Sequence, residues 1–195
     1  MGLKLITPPA ELPVTMAEAK EHLRVDVSDD DTTIDLYVRA ATGAAEEWLG
    51  RALIDQTWEL TLDEFPPNEL RIPRPPLIEI VSVIYDDAAG DEQTLNAASY
   101  TVDSSSEPGW LTPASGAWPA TFAGINAVRI RFRAGYLDNA SPAVQNVPDN
   151  IRNAILMAAG DYYANRETMI VGQTLTTSTW WEYLLRPFRV QIGMA

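Results

Sequence analysis

The spacing of apolar residues changes twice along the chain and divides it into helical and strand-forming parts. Thr15 to Glu18 has the T-x-x-E form of a capping box, which predicts a first helix from Thr15 to about Leu23. A second helix is predicted to begin in the acidic run 28–31 and to end at Gly50. Its apolar face consists of Ile34, Tyr37, Val38, Ala41, Ala45 and Trp48.

From residue 56 the apolar positions alternate with polar ones, which predicts β-strands. The alternation is most regular at residues 127–133 and is also clear at residues 57–63. Further strands are predicted at residues 69–72, 77–85, 92–95, 100–102 and 110–112. Short strands at this spacing are typical of a small antiparallel sandwich or barrel.

The helical period returns after Pro148 and predicts a third, long helix. Its apolar face consists of Ile151, Ala154, Ile155, Ala158 and Tyr162. The predicted fold class is therefore α+β, with a helical body at residues 15–54 and 146–167 and an antiparallel β domain inserted at residues 55–136. Residues 1–14 are expected to form an N-terminal arm, and residues 168–195 an extended C-terminal arm.

The C-terminal arm is the strongest candidate for an interaction site. Residues 168–179 carry no charge, and the eleven residues that follow are rich in aromatic residues and arginine, the types that dominate binding energy at protein interfaces. A short helix is predicted from Ser178 to about Leu185, before Pro187. The candidate docking residues are Trp180, Trp181, Tyr183, Leu184, Leu185, Phe188 and Arg189. The alternative is that these apolar side chains fold back onto the protein's own core.

A second candidate surface lies on the most regular strand. Arg129, Arg131 and Arg133 fall on one face of it, and such a stripe can contact an acidic surface of a neighbouring subunit. The alternative is an exposed strand face that is balanced by acidic residues on the adjacent strands. Both interpretations stay open on the sequence alone.

Composition excludes several classes of function. The net charge of −13 argues against simple binding to nucleic acid, which requires cations opposite the phosphates. The chain has no cysteine and one histidine, which excludes thiolate chemistry and two-histidine metal motifs. His22 is interpreted as a surface residue beside solvated carboxylates. We therefore expect no catalytic residues, no cofactor and no metal ion, and apolar runs are too short for a membrane span.

Several stretches, taken in order, resemble one protein family. They are LKLITPP at 3–9, PVTMAEAKEHLRVD at 13–26, AAEEWLGRALI at 44–54, VRIRFRAGY at 128–136, VPDNIRNAI at 147–155, YYANRE at 162–167 and LLRPFRV at 184–190. In this order and spacing, they resemble the head-to-tail connector, or adaptor, proteins of long-tailed bacteriophages and related gene-transfer particles. The β insertion resembles the longer branch of that family.

The resemblance implies a structural protein of the virion neck that is assembled in the cytoplasm of a bacterial host. Such proteins form a ring of about twelve copies beneath the portal protein and extend the DNA channel. In relatives the C-terminal arm contacts the portal, and a stopper or tail-completion protein docks on the ring. Double-stranded DNA would pass an acidic channel wall without specific binding.

Two alternatives to this assignment remain at the level of sequence. One is a ligand- or carbohydrate-binding β module, in which Trp58, Trp110 and Trp118 form an aromatic platform. The other is a neighbouring role in the neck, as a stopper or tail-completion protein.

Overall fold

A computed structural model describes residues 1–137, 146–165 and 180–190 of the chain. The chain forms two compact units, and each is composed of two separate stretches. Residues 11–50 and 146–195 make up the helical unit, and residues 1–10 and 51–145 make up the β unit. The predicted α+β class is confirmed, with two antiparallel sheets and no closed barrel among the described strands.

The helical unit contains four described helices. They are α1 (Met16–Leu23), α2 (Asp31–Leu49), α3 (Asp149–Ala164) and α4 (Trp180–Leu185), and a 3₁₀ turn at Arg186–Phe188 follows α4. The bounds of the first three agree with the apolar periodicity. The part of the predicted last helix at residues 178–179 lies outside the described residues.

The capping box predicted at the start of α1 is present. The Thr15 side chain accepts a hydrogen bond from the Glu18 N–H at 3.2 Å, and the Thr15 N–H donates to Glu18 Oε2 at 2.8 Å. These two bonds satisfy backbone donors that a helix start otherwise leaves without partners. The hydrogen bonds from Thr15, and the nearby Arg152 guanidinium, lower the pKa of Glu18.

We expect Thr15→Ala to destabilise the helical unit by about 1 kcal/mol, the usual cost of losing an N-cap side chain. Urea denaturation followed by circular dichroism measures this loss. Thr32→Ala is the matched control, since Thr32 lies within α2 and makes no cap. Equal stability losses in the two variants would contradict the capping assignment.

The predicted faces of α2 and α3 form the core of this unit. Ile34, Val38, Ala41 and Ala45 of α2 are buried, as are Ile151, Ala154, Ile155 and Ala158 of α3. The two helices pack on each other, and their alanines permit a close approach of the backbones. Tyr37 and Tyr162, at the edge of the same faces, contact each other with ring centroids 6.1 Å apart.

The described residues of the β unit form eight strands in two antiparallel sheets. The strands are β1 (Gly2–Thr7), β2 (Gln56–Leu62), β3 (Leu70–Arg71), β4 (Leu77–Asp86), β5 (Glu92–Thr94), β6 (Tyr100–Asp103), β7 (Trp110–Pro113) and β8 (Val128–Ala134). One sheet has the order β1-β2-β8-β4-β5, and the other has the order β3-β7-β6.

Strand β8 is the centre of the larger sheet and contributes most to its core. Val128, Ile130, Phe132 and Ala134 are all fully buried, while the intervening arginines lie on the opposite face. Leu60 of β2 and Val83 of β4 both pair with Ile130 and are buried with it. The alternation predicted for this stretch therefore corresponds to one buried and one solvated face.

The N-terminus differs from the expected arm. Residues 2–7 form the edge strand β1, which pairs with β2 so that Leu3 lies opposite Leu60 and Leu5 opposite Trp58. Leu3 and Leu5 alternate with polar Lys4, and this short strand period precedes Pro8 and Pro9. Residues 1–10 thus belong to the β unit, which also extends beyond the predicted insertion to begin again at residue 51.

Candidate docking site

The C-terminal segment, defined here as residues 180–190, lies on the helical unit. Its helix α4 packs against α3, and Leu185 at the end of α4 is fully buried. Burial of one leucine side chain contributes about 1.5–3 kcal/mol to holding such a segment in place. Leu185 is therefore the apolar anchor of the segment.

Trp48, near the end of α2, is contacted by two residues of the C-terminal segment. The Trp181 ring meets it edge-on, with centroids 6.5 Å apart and an interplanar angle of 62°. The Arg189 guanidinium carbon lies 4.9 Å from the centroid of the Trp48 ring, within the range of a cation–π interaction. Both contacts join a predicted docking residue to a residue of the predicted apolar face of α2.

The backbone completes this arrangement at the end of α2. Gly50 adopts the left-handed conformation, with φ of 68°, and its N–H donates to the Glu46 carbonyl as the helix ends. The carbonyl of Leu49, released from the helix, accepts a hydrogen bond from the Val190 N–H at 2.9 Å. We call Trp48, Leu49 and Gly50 the α2 seat.

The seven candidate docking residues therefore differ in position. Tyr183 is 68% exposed, Arg189 is exposed, and Leu184 and Phe188 are partly exposed. Trp181 is partly buried and Leu185 fully buried, so these two side chains fold back onto the protein's own helices in this structure. This was the alternative that the sequence left open. The side chain of Trp180 and residues 168–179 lie outside the described part of the chain.

The arginine stripe of β8 is paired with carboxylates of the same chain. Arg129 binds Asp86 at 2.8 Å and Glu92 at 2.9 Å, and Arg131 binds Glu59 at 2.8 Å. Arg133 binds Asp55 and Glu79. The hydrogen bond that Arg129 donates lowers the pKa of Asp86, and the hydrogen bonds that Arg133 donates to Asp55 and Glu79 raise the pKa of Arg133. The arrangement matches the alternative of a strand face balanced by neighbouring strands.

Residues 13–105 match the family model described as phage gp6-like head-tail connector protein. The resemblance to head–tail connector proteins is confirmed. The matched region contains α1, α2 and the α2 seat, together with strands β2 to β6. No curated protein matches the sequence.

Solved structures share the whole fold. A chain in the neck of an empty gene transfer agent (GTA) particle, computed with C6 symmetry, is similar with a TM-score of 0.77, and so is one in the virion of a native GTA particle. A chain in the neck of a native GTA particle, computed with C12 symmetry, has a TM-score of 0.73. Each is 24% identical and is matched over 100% of this chain and 99% of its own length.

Within the connector match, Arg51 is a buried charge that sequence reasoning missed. It is 7% exposed, pairs with Glu107 Oε2 at 2.5 Å and has its guanidinium carbon 6.0 Å from the centroid of the Tyr136 ring. Burial raises the pKa of Tyr136. Arg51 directly follows the Gly50 that ends α2. Its position within the stretch 44–54, which resembles the connector family, could have pointed to it. Its contacts are those of a structural residue within the β unit.

The remaining polar candidate from the sequence is His22. His22 lines a shallow cleft with Glu18 and Arg152, and Arg152 binds Glu18 and donates to the Pro13 carbonyl. Within residues 1–137, 146–165 and 180–190, no group of three or more histidine or acidic side chains could hold a metal ion. In the same residues no helix is long and apolar enough to cross a membrane.

The tryptophans of the proposed carbohydrate platform have separate partners. Trp118 stacks on Phe65 with ring centroids 4.8 Å apart, and Trp110 Nε1 donates to Asp103 at 2.8 Å. The guanidinium carbon of Arg74 lies 5.4 Å from the centroid of the Trp58 ring. All three rings are partly buried, and those of Trp58 and Trp118 pack against the core of the β unit.

Proposed function

We propose that the chain is a structural, non-enzymatic subunit of the head–tail connector in the neck of a phage-like particle. The observation that carries the proposal is a fold shared over 100% of this chain with a neck chain of the GTA particle. The connector family match at residues 13–105 supports it independently from the sequence.

The proposed subunit forms a closed ring beneath the portal protein and extends the DNA channel. The necks that contain similar chains were computed with C6 and C12 symmetry, which supports a ring of about twelve copies. The net charge of −13 supports a channel that repels DNA phosphates and lets the duplex pass without specific binding.

The proposed contact with the portal is the C-terminal segment. Tyr183, Arg186 and Arg189 are exposed on it, in a chain with only 14 basic residues against 27 acidic ones. Tyrosine and arginine are enriched among residues that dominate binding energy. A stopper or tail-completion protein would dock elsewhere on the ring.

The proposed contact between copies includes the arginine face of β8. Arg131 is 43% exposed at its side chain and Arg133 33%, so a neighbouring acidic surface can still approach their guanidinium groups. Their present carboxylate partners compete with such a neighbour. This surface therefore contributes mainly to the orientation of copies and less to affinity.

Removal of this protein from the assembling particle tests the function. We expect filled heads that lack tails, because the portal would have no platform for the next neck component. Electron microscopy of the particles measures this outcome, and expression of the protein in trans restores tails. Normal numbers of tailed particles in its absence would contradict a connector role.

A further inference from the structure

The side chains proposed to dock on the portal also hold the C-terminal segment on its own protomer. Leu185 is fully buried against the helical unit, Trp181 meets the edge of Trp48, and the Arg189 guanidinium lies over the same ring. The Val190 N–H is bonded to the Leu49 carbonyl. These groups cannot make the same contacts with a second protein while they stay in place.

We infer that the C-terminal segment has two mutually exclusive sites, the α2 seat of its own subunit and the portal. In the free subunit the segment occupies the α2 seat and its apolar anchor is hidden. In the assembled neck the segment leaves the seat, and Trp181, Leu185 and Arg189 contact the portal. This inference rests on the proposed function, and it adds how the availability of the docking segment is regulated.

The seat sets the apparent affinity for the portal. A partner that binds only the released state has an apparent dissociation constant equal to its intrinsic one divided by the fraction of subunits in that state. If the seated state exceeds the released state by about tenfold, the apparent dissociation constant rises by about tenfold. A free subunit therefore keeps the apolar part of its docking surface, Trp181 and Leu185, largely covered until a portal is present to compete for the segment.

A disulfide between the seat and the segment tests the exclusivity directly. The chain has no cysteine, and a Cβ built on Gly50 lies 3.7 Å from the Val190 Cβ, within the range that a disulfide spans. We expect the oxidised Gly50→Cys/Val190→Cys variant to bind purified portal rings at least about tenfold more weakly than its reduced form. The two single variants control for the substitutions themselves.

A second variant moves the affinity in the opposite direction. Trp48 belongs to the seat and is not a docking residue, so Trp48→Ala weakens only the intramolecular site. We expect it to bind portal rings about 3- to 10-fold more tightly than the wild type. A general defect in folding would weaken portal binding by both variants. Competition between the two sites instead predicts weaker binding by the oxidised disulfide variant and tighter binding by Trp48→Ala.

Hydrogen exchange on the isolated protein gives a readout that does not depend on the portal. We expect protection of the Val190 amide in the wild type and its loss in Trp48→Ala. An unprotected Val190 amide in the wild type would overturn the seat. Equal portal binding by the oxidised and reduced pair would overturn the exclusivity while leaving portal docking intact. Absence of portal binding by wild type and reduced pair alike would instead overturn the proposed function.

Discussion

Replacing Gly135 by alanine is expected to destabilise the β unit by about 3 kcal/mol or more. Gly135 has a φ of 144°, which L-residues rarely adopt, and an added Cβ would lie 2.5 Å from the carbonyl carbon of Ile54 and 2.6 Å from the Asp55 nitrogen. Strained backbone costs about 1–3 kcal/mol, and overpacking a similar amount. Because the obstructing atoms belong to the backbone, a side-chain rotation cannot relieve the contact. Urea denaturation followed by tryptophan fluorescence measures the loss.

Two further glycines provide controls for this substitution. Gly116 lies in the same unit with a φ of 70°, and an added Cβ there would meet nothing within 4 Å. Gly116→Ala therefore costs only the backbone strain, about 1 kcal/mol. Gly43 lies inside α2 with open space around it, so Gly43→Ala stabilises the helix by about 0.5–1 kcal/mol. A loss at Gly135 no larger than that at Gly116 would contradict the steric argument.

The features that the sequence predicted well are those encoded by neighbours along the chain. The capping box of α1 requires only Thr15 and Glu18, three positions apart, and it is present as expected. The alternation in β8 is also local, and it places every second residue in the core. Such patterns depend only on the periods of helices and strands, so they can be predicted without knowledge of the tertiary fold.

The features that the sequence did not predict depend on partners far along the chain. Residues 2–7 form strand β1 because they pair with residues of β2 that lie 50 to 59 positions later, and no local pattern specifies that pairing. The charge balance of Arg133 likewise needs Asp55, directly before β2, and Glu79 of β4, the strands that flank β8. The sequence allows both interpretations of the arginine stripe, and its charges can be paired only from the strand order β2-β8-β4.

The position of the C-terminal segment also could not be decided from the sequence. An aromatic and arginine-rich C-terminus is typical both of a docking segment and of a segment that packs on its own core. The edge contact of Trp181 with Trp48 and the burial of Leu185 show that a core-like arrangement exists. The two interpretations are compatible if the segment exchanges between its own subunit and a partner.

Truncation after Gly172 is expected to weaken binding to purified portal rings by at least about 100-fold. It removes all seven candidate docking residues, and a few aromatic and arginine anchors commonly carry more than 2 kcal/mol each at an interface. Surface plasmon resonance on immobilised portal measures the loss. The truncation also uncovers Trp48 and part of α3, so a variant with an intact helical unit is needed beside it.

The double variant Tyr183→Ala/Arg186→Ala meets that need, because both positions are exposed on the segment and Leu185 is retained. We expect it to lose about 10- to 100-fold in portal affinity with little change in the free energy of unfolding. Arg71→Ala removes an exposed arginine outside the segment and should bind normally. Wild-type affinity in both the truncated protein and the double variant would place the portal contact elsewhere on the subunit. A loss confined to the truncation would instead assign the contact to the apolar residues of the segment, which bind only after they leave the α2 seat.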